Sequence, residues 1–143
     1  MDTKAKGDIA EQATLLEFLK RGYDALQPIG DRLPYDLVVT KNNTFVRIQV
    51  KSAWYDKSSM NYQIDVRRTK TNRRVMKQER YGDNDFDFAS IYIPDYNRFY
   101  IMPIAFFNSY KSSIALIVDT DRQRKPRSYD YLEAWHLVDN FTQ

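Results

Sequence analysis

Four residues of this chain have types and spacings that could hold a divalent cation against a phosphate: Glu11, Asp36, Gln49 and Lys51. Mg²⁺ prefers oxygen ligands such as carboxylates, together with water and substrate phosphate. A lysine ammonium nearby can stabilise charge that develops on the phosphate under attack. The four residues therefore predict a site for metal-assisted hydrolysis of a phosphodiester.

Each candidate has an expected role and a plainer structural interpretation. Asp36 is the expected direct carboxylate ligand, Gln49 an amide-oxygen ligand, and Glu11 a second carboxylate that binds directly or through water. Lys51 is expected beside the attacking water. Alternatively, Glu11 could complete a helix-capping box that begins at Asp8, and Asp36 could stabilise a turn. Gln49 and Lys51 could lie on the solvent-exposed face of an edge strand.

Two predicted strands would bring three of these residues together. Residues 36–40 and 44–50 are rich in apolar and β-branched residues, and Lys41-Asn42-Asn43 between them favours a tight turn. A two-residue turn at 42–43 pairs 41 with 44, 40 with 45, and finally 36 with 49. Asp36 then faces Gln49 across the strands, and Lys51 lies on the same side as Gln49.

A helix is predicted over residues 5–21, since apolar residues recur at helical spacing and Gly22 follows as a stop. The apolar residues are Ile9, Ala13, Leu16 and Leu19. Glu11 is in line with Leu15 and Phe18, so it is expected to point towards the sheet.

The remaining pattern predicts strands at 61–67, 88–93, 98–102 and 113–118 and a short amphipathic helix at 129–138. Pro94 to Asn97 is the expected turn between two of these strands. Neither an internal repeat nor a linker divides the sequence. The fold class is therefore α/β or α+β, in a single domain of 143 residues.

Positive charge is concentrated at residues 67–80, which hold seven Lys or Arg and one Glu. Segregated positive charge is what a polyanion-binding face requires, although a solvated loop has the same composition. If the partner is a nucleic acid, a basic insertion at about 67–82 would contact it through Arg67, Arg68, Lys70, Arg73, Arg74, Lys77 and Arg80. A second, shorter basic run comprises Arg122, Arg124, Lys125 and Arg127.

Several classes of protein are excluded or disfavoured. The absence of cysteine excludes disulfides, thiolate metal sites and cysteine nucleophiles. His136 is the only histidine, so it cannot form a multi-histidine site and is expected in packing or at the surface. No apolar run approaches the ~20 residues of a membrane helix, so no membrane partner is expected. The first residues do not resemble a signal peptide, and a cytoplasmic location is expected.

The ordered motifs resemble the PD-(D/E)xK nuclease superfamily. They are Lys6-Gly7-x-x-x-Glu11, Gly22-Tyr23, Pro34-Tyr35-Asp36 and Gln49-Val50-Lys51-Ser52. Within the superfamily, the sequence is most similar to group I intron-encoded homing endonucleases of cyanobacterial type, and archaeal Holliday-junction resolvases share the first half. Arg67-Arg68, Asp85-Phe86-Asp87-Phe88 and Ile91-Tyr92-Ile93-Pro94 extend this resemblance over residues 4–104.

The resemblance implies a restriction-endonuclease-like mixed β-sheet flanked by helices, Mg²⁺-dependent DNA cleavage with Mn²⁺ as a substitute, and a homo-oligomer, either dimer or tetramer. Glu11, Asp36, Gln49 and Lys51 match the family's catalytic positions. Gln49 departs from the usual Asp or Glu. The expected function is therefore a sequence-specific homing endonuclease. The alternatives are a junction resolvase or restriction enzyme with the same core, a non-catalytic DNA-binding module, or a basic protein with no nucleic-acid role.

Overall fold

The computed structural model describes the backbone of residues 1–71, 76–119 and 121–143, and the side chains of residues 1–68, 79–119 and 121–143. Its helices are α1 (Thr3–Lys20), α2 (Ile104–Phe107) and α3 (His136–Phe141). Its strands are β1 (Asp24–Leu26), β2 (Leu37–Lys41), β3 (Thr44–Ser52), β4 (Trp54–Asp56), β5 (Asn61–Asp65), β6 (Arg67–Thr71), β7 (Met76–Arg80), β8 (Phe88–Ile93), β9 (Arg98–Pro103) and β10 (Ser113–Leu116).

A five-stranded mixed sheet in the order β1-β2-β3-β8-β9 forms the centre of the molecule. β3 and β8 are parallel, and the other neighbouring pairs are antiparallel. One face packs against α1 and α3, and the other against a three-stranded sheet in the order β10-β5-β4. The predicted mixed sheet is confirmed, with a second sheet covering much of the face opposite α1.

Helix α1 begins and ends at residues suited to those positions. Asp2 caps its start, with the side chain accepting a hydrogen bond from the backbone N–H of Ala5 at 2.7 Å. At its end Gly22 takes the left-handed conformation (φ 88°), and Tyr23 N–H donates to the carbonyl of Phe18 at 3.0 Å. The predicted helix is confirmed. Glu11 lies in its middle, which excludes the capping-box interpretation that began at Asp8.

The β2–β3 hairpin has the predicted register. Asn42 and Asn43 both have positive φ, at 55° and 62°, which gives a two-residue turn of the kind that matches the twist of the strands. Lys41 pairs with Thr44, and the ladder continues to the pair Leu37 and Ile48.

The prediction of one helix over 129–138 is wrong. A 3₁₀ helix at Arg127–Tyr131 and the helix α3 replace it. Between them, Leu132 forms a β-bridge with Tyr100, and Glu133 has a left-handed backbone (φ 53°). Glu133 N–H donates to the carbonyl of Phe99 at 2.7 Å, so pairing with the sheet interrupts the helical pattern.

The other predicted strands are confirmed, the one at 88–93 with its predicted ends and the rest with shifted ends. The strand predicted at 61–67 is β5, which ends at Asp65, and the strand predicted at 113–118 ends at Leu116 as β10. The basic segment, for which a loop was one interpretation, forms an antiparallel hairpin of β6 and β7. Within the described residues, no helix has the length and apolar character needed to cross a membrane.

Candidate active site

Strand β3 lies inside the main sheet and carries two of the four candidates. Val46, Ile48 and Val50 belong to the core beneath α1. Because side chains alternate along a strand, Gln49 and Lys51 point to the opposite face. Gln49 is only 8% exposed. These two residues therefore do not lie on the wet face of an edge strand.

Asp36 is held at the start of β2 by the neighbouring strand. Its backbone N–H donates to the carbonyl of Ile48 at 2.9 Å, and its carboxylate Oδ2 accepts from the backbone N–H of Val50 at 2.9 Å. One carboxylate oxygen is thus anchored to β3 at the residue between Gln49 and Lys51. This anchoring fixes the position of the carboxylate beside β3.

Glu11 comes from α1 and meets Asp36. The helix is seated on β8 by a hydrogen bond between the buried hydroxyls of Thr14 and Ser90 at 2.9 Å. Burial, followed by the charge and hydrogen bonding of Asp36, raises the pKa of Glu11 to about 7. Burial also raises the pKa of Asp36, and the hydrogen bond from Val50 opposes that shift. The two carboxyl groups therefore interact as a close pair and resist carrying two charges at once.

Lys51 is enclosed beside this pair. Its Nζ donates to the backbone carbonyl of Arg67 at 3.1 Å and lies 5.2 Å from the centre of the Tyr81 ring. Burial lowers the pKa of the ammonium, while the carboxylates of Asp65 and Asp36 oppose that shift. The same carboxylates thus favour retention of the charge in a desolvated setting, where an ammonium acts more strongly on a phosphate.

The donor set fits a cation that prefers oxygen ligands. Glu11 and Asp36 supply two carboxylates. A bound cation would offset the burial that raises both pKa values and the charge of Asp36 that adds to the rise at Glu11. Gln49 Nε2 donates to the carbonyl of Val50 at 3.2 Å, which leaves the amide oxygen as the atom that can bind a metal. Among the described residues, no three His, Cys, Asp or Glu side chains form a metal site, so Glu11 and Asp36 are the anionic part of the set.

An open cleft of about 360 Å³ borders the two carboxylates. Its other wall is the loop between β1 and β2, which includes Gly30, Asp31 and Leu33. Arg68 of the basic hairpin donates to the carbonyl of Arg32 in this loop at 2.9 Å. The charge of Arg68 also acts on Asp36 and opposes the rise of its pKa. The hairpin and the loop therefore meet at the edge of the cleft.

The structure distinguishes among the basic residues. Arg67 forms an ion pair with Asp65 at 2.8 Å, so part of its charge is already neutralised. Arg68 and Arg80 donate to backbone carbonyls and keep their net charge. Arg73 and Arg74 lie outside the described residues, as do the side chains of Lys70 and Lys77.

The second basic run is partly engaged within the protein. Arg122 donates to the side chain of Asn61 at 2.7 Å, and Arg127 lies over the rings of Phe106 and Tyr110. His136 is the first residue of α3 and is exposed, so of the two predicted locations, packing or surface, it occupies the surface.

Two residues at the site were missed by reasoning from the sequence. Tyr81 is buried against Phe86 and Phe107 and presents its ring to Lys51. Asp65 contributes charge next to Lys51 while it binds Arg67. Asp65 and Tyr81 flank the basic segment in the sequence. An acidic and an aromatic residue next to a run of positive charge were the sequence features that could have indicated them.

The family model described as PD-(D/E)XK endonuclease matches residues 1–138. The chain belongs to the PD-(D/E)XK endonuclease family. This match confirms the resemblance inferred from the motifs and makes the chain a nuclease of the PD-(D/E)XK type. No curated protein sequence matches it.

Two solved structures have similar folds. The bacterial homing endonuclease I-Ssp6803I is 48% identical, with a TM-score of 0.91, over 99% of this chain and 95% of that chain. Hjc, a Holliday junction resolvase from the archaeal hyperthermophile Archaeoglobus fulgidus, is 15% identical, with a TM-score of 0.58, over 96% of this chain and 99% of that chain. The likeness to Hjc concerns the fold alone.

Proposed function

We propose that this chain is a sequence-specific, Mg²⁺-dependent homing endonuclease that cleaves double-stranded DNA. The observation that carries the proposal is the adjacency of Glu11 and Asp36, with Lys51 partly buried nearby on the strand to which Asp36 is bonded. The 48% identity to a bacterial homing endonuclease over nearly the whole chain supports the homing assignment. In this role the chain would act in the bacterial cytoplasm.

Each side chain has a task in the proposed hydrolysis. Lys51 would place its ammonium beside the attacking water and the phosphoryl oxygen that gains charge. Asp36, fixed by the N–H of Val50, and Glu11, fixed by its helix, would hold the cation together with the amide oxygen of Gln49. When bound, Mg²⁺ would supply the positive charge that polarises the phosphate, and Mn²⁺ is expected to substitute.

DNA would lie along the basic hairpin. We expect the phosphates to contact Arg68, Lys70, Arg73, Arg74, Lys77 and Arg80, with Arg67 contributing less because Asp65 already neutralises it. The hydrogen bond between Arg68 and the carbonyl of Arg32 supports a course of the DNA past the cleft that contains the carboxylates. The basic insertion at 67–82 is thus proposed to contact DNA next to the chemistry.

The proposed enzyme is a homo-oligomer. One active site cuts one strand, and the two strands of a duplex run in opposite directions, so two copies related by a two-fold axis are needed for a double-strand break. A dimer satisfies this requirement, and a tetramer would contain two such pairs.

The decisive experiment is cleavage of a randomised duplex library by the wild type, Lys51→Ala and Lys57→Ala, each with Mg²⁺ or EDTA. Lys57 is an exposed lysine and serves as the matched control. We expect Mg²⁺-dependent cuts at one long, degenerate site for the wild type and for Lys57→Ala. Lys51→Ala should lose about a thousandfold in rate while it keeps its DNA affinity.

Other outcomes would assign the chain differently. Undiminished cutting by Lys51→Ala would contradict the proposed role of this lysine. Preference for four-way junctions over linear duplex would indicate a resolvase, and short invariant sites a restriction enzyme. Specific binding without cleavage would indicate a DNA-binding module that is inactive because Gln49 replaces a carboxylate ligand. If the protein has no DNA affinity that depends on salt, it is a basic protein without a nucleic-acid role.

A further inference from the structure

Helix α1 has two apolar faces, of which one packs in the core. Ala10 and Phe18 are buried against the sheet. Ile9 and Leu16, which follow the helical spacing seen in the sequence, lie on the other side and are 43% and 52% exposed. A helix normally buries its apolar stripe, so this second face lacks a partner within the part of the chain that the structure describes.

The exposed face of α1 is continuous with an exposed aromatic surface. We define the apolar band as Ile9, Leu16, Trp54, Tyr55, Met60 and Tyr96, all partly or largely exposed. Three hollows of about 460, 450 and 440 Å³ run along it. Ile9 is shared by the first two hollows and Tyr55 by the last two, so the band forms one surface.

We propose that the apolar band is the surface through which two copies of this chain associate. Side chains of this size that are about half exposed present about 100 Å² each, so the band presents roughly 600 Å². That is at the upper limit of the largest apolar patch on an ordinary monomer. It also approaches the ~800 Å² that each partner contributes to a stable protein–protein interface. Polar residues at the rim would supply the remainder.

The rim of the band favours a second copy over DNA or a lipid surface. Asp8, Glu17 and Lys20 line the first hollow, and Lys6 and Asp95 line the second. A polyanion or an anionic membrane requires one sign of charge, which this rim does not offer. In a two-fold symmetric dimer, the rim of one copy faces the same rim of the other copy. Opposite-charge pairs can then form only if the rim contains both positive and negative residues.

The position of the band leaves the active site open. Asp8 of α1 borders both the first hollow and the cleft with Glu11 and Asp36, so the helix separates the two surfaces. Pairing through the band would give one assembly with two catalytic clefts. This consequence rests on the proposed nuclease function, whereas the association itself does not.

Sedimentation velocity without DNA and in EDTA tests the association. The test variant is Leu16→Glu, and the matched control is Leu26→Glu, because Leu26 is 51% exposed and lies on the edge strand β1, at the far edge of the sheet from β9. The wild type and Leu26→Glu should dimerise alike, and Leu16→Glu should weaken the association at least tenfold. Circular dichroism checks folding. If Leu16→Glu or Leu26→Glu fails this check, Leu16→Gln or Leu26→Gln replaces it at the same position.

Intrinsic fluorescence gives a second measurement on the unmodified protein. Of the two tryptophans, Trp54 is 48% exposed and Trp135 is 4% exposed. Acrylamide should therefore quench mainly Trp54, and its quenching should fall as rising protein concentration drives association.

A wild type that stays monomeric at all concentrations would overturn the proposal. So would association that neither responds to Leu16→Glu nor protects Trp54. Variants of the band that lose DNA affinity as monomers would assign the band to DNA instead. None of these measurements uses cleavage, so a dimer that fails to cut DNA would contradict the nuclease proposal and leave the interface standing.

Discussion

The Nζ atom of Lys51 donates a hydrogen bond to the backbone carbonyl of Arg67 at 3.1 Å, which joins the proposed catalytic lysine to the first residue of the basic hairpin. β3 and β6 belong to different sheets, so this hydrogen bond joins the strand that carries the proposed catalytic lysine to the proposed DNA-contacting element. If the hairpin moves when it binds DNA, this hydrogen bond would therefore shift the position of Lys51. Tyr81, at the other end of the hairpin, contacts the same ammonium.

Tyr81 is predicted to position Lys51 through its ring. Tyr81→Leu should slow single-turnover cleavage about tenfold without changing DNA affinity, because a cation–π contact contributes about 1 kcal/mol or more when desolvated. Tyr81→Phe keeps the ring and should retain most of the rate. A change in DNA affinity for Tyr81→Leu, or equal loss in both variants, would argue against positioning through the ring.

The stability of the metal-free protein is predicted to fall as the pH rises from about 4.5 to about 7. The pKa of Glu11 is 4.5 when freely solvated and about 7 in the folded chain, so the folded state binds more protons across this window. Folding is therefore favoured below it and penalised above it. Since Glu11 is only partly buried, the effect should be on the order of 1 kcal/mol after allowance for screening.

Urea denaturation at several pH values checks this prediction, with Glu11→Gln as the test variant and Glu17→Gln as a control on the same helix. Glu11→Gln should flatten the dependence and gain stability at pH 8. Mg²⁺ should stabilise the wild type at that pH and have less effect on Glu11→Gln. A wild type whose stability rises through this window would show that burial and the neighbouring Asp36 do not raise the pKa of Glu11.

Local sequence patterns were sufficient to predict the helix and the two strands that carry the candidate site. Asn42 and Asn43 suit the left-handed backbone of a two-residue turn, and that turn fixes the register of β2 against β3. Once the register is known, the meeting of Asp36 with β3 follows. The position of Glu11 could also be predicted, because helical spacing places it near the buried face of α1 with Phe18.

Contacts between distant parts of the chain could not be predicted in this way. The segment 129–138 has helical periodicity, yet Leu132 pairs with Tyr100 and the helix is interrupted. Nothing in the local sequence distinguishes Tyr81 from other aromatic residues, and only the tertiary structure shows its contact with Lys51. The apolar spacing of Ile9 and Leu16 indicated the helix correctly, but it could not show which side of the helix the sheet would cover.

Gln49→Glu is predicted to strengthen metal binding and to destabilise the metal-free protein. Gln49 is nearly buried on β3, and Asp36 is bonded to the next residue, so a new carboxylate would add a third negative charge to the site. The affinity for Mg²⁺ should rise about tenfold, measured by calorimetry. Gln63→Glu on β5 is the control and should leave this affinity unchanged. Equal affinities for Gln49→Glu and the wild type would show that residue 49 is not a ligand.

The salt dependence of DNA binding is predicted to separate the two basic runs. Each phosphate contact contributes about 0.9 to the slope of log affinity against log salt. The double variant Arg73→Gln, Arg74→Gln should therefore bind more weakly and lower the slope by about two. Arg127→Gln removes the same type of charge from a residue that lies over Phe106 and Tyr110 and should leave the slope unchanged. Fluorescence anisotropy across a salt series measures the slopes. A larger loss for Arg127→Gln than for the double variant would move the DNA-contacting surface from the hairpin to the C-terminal run.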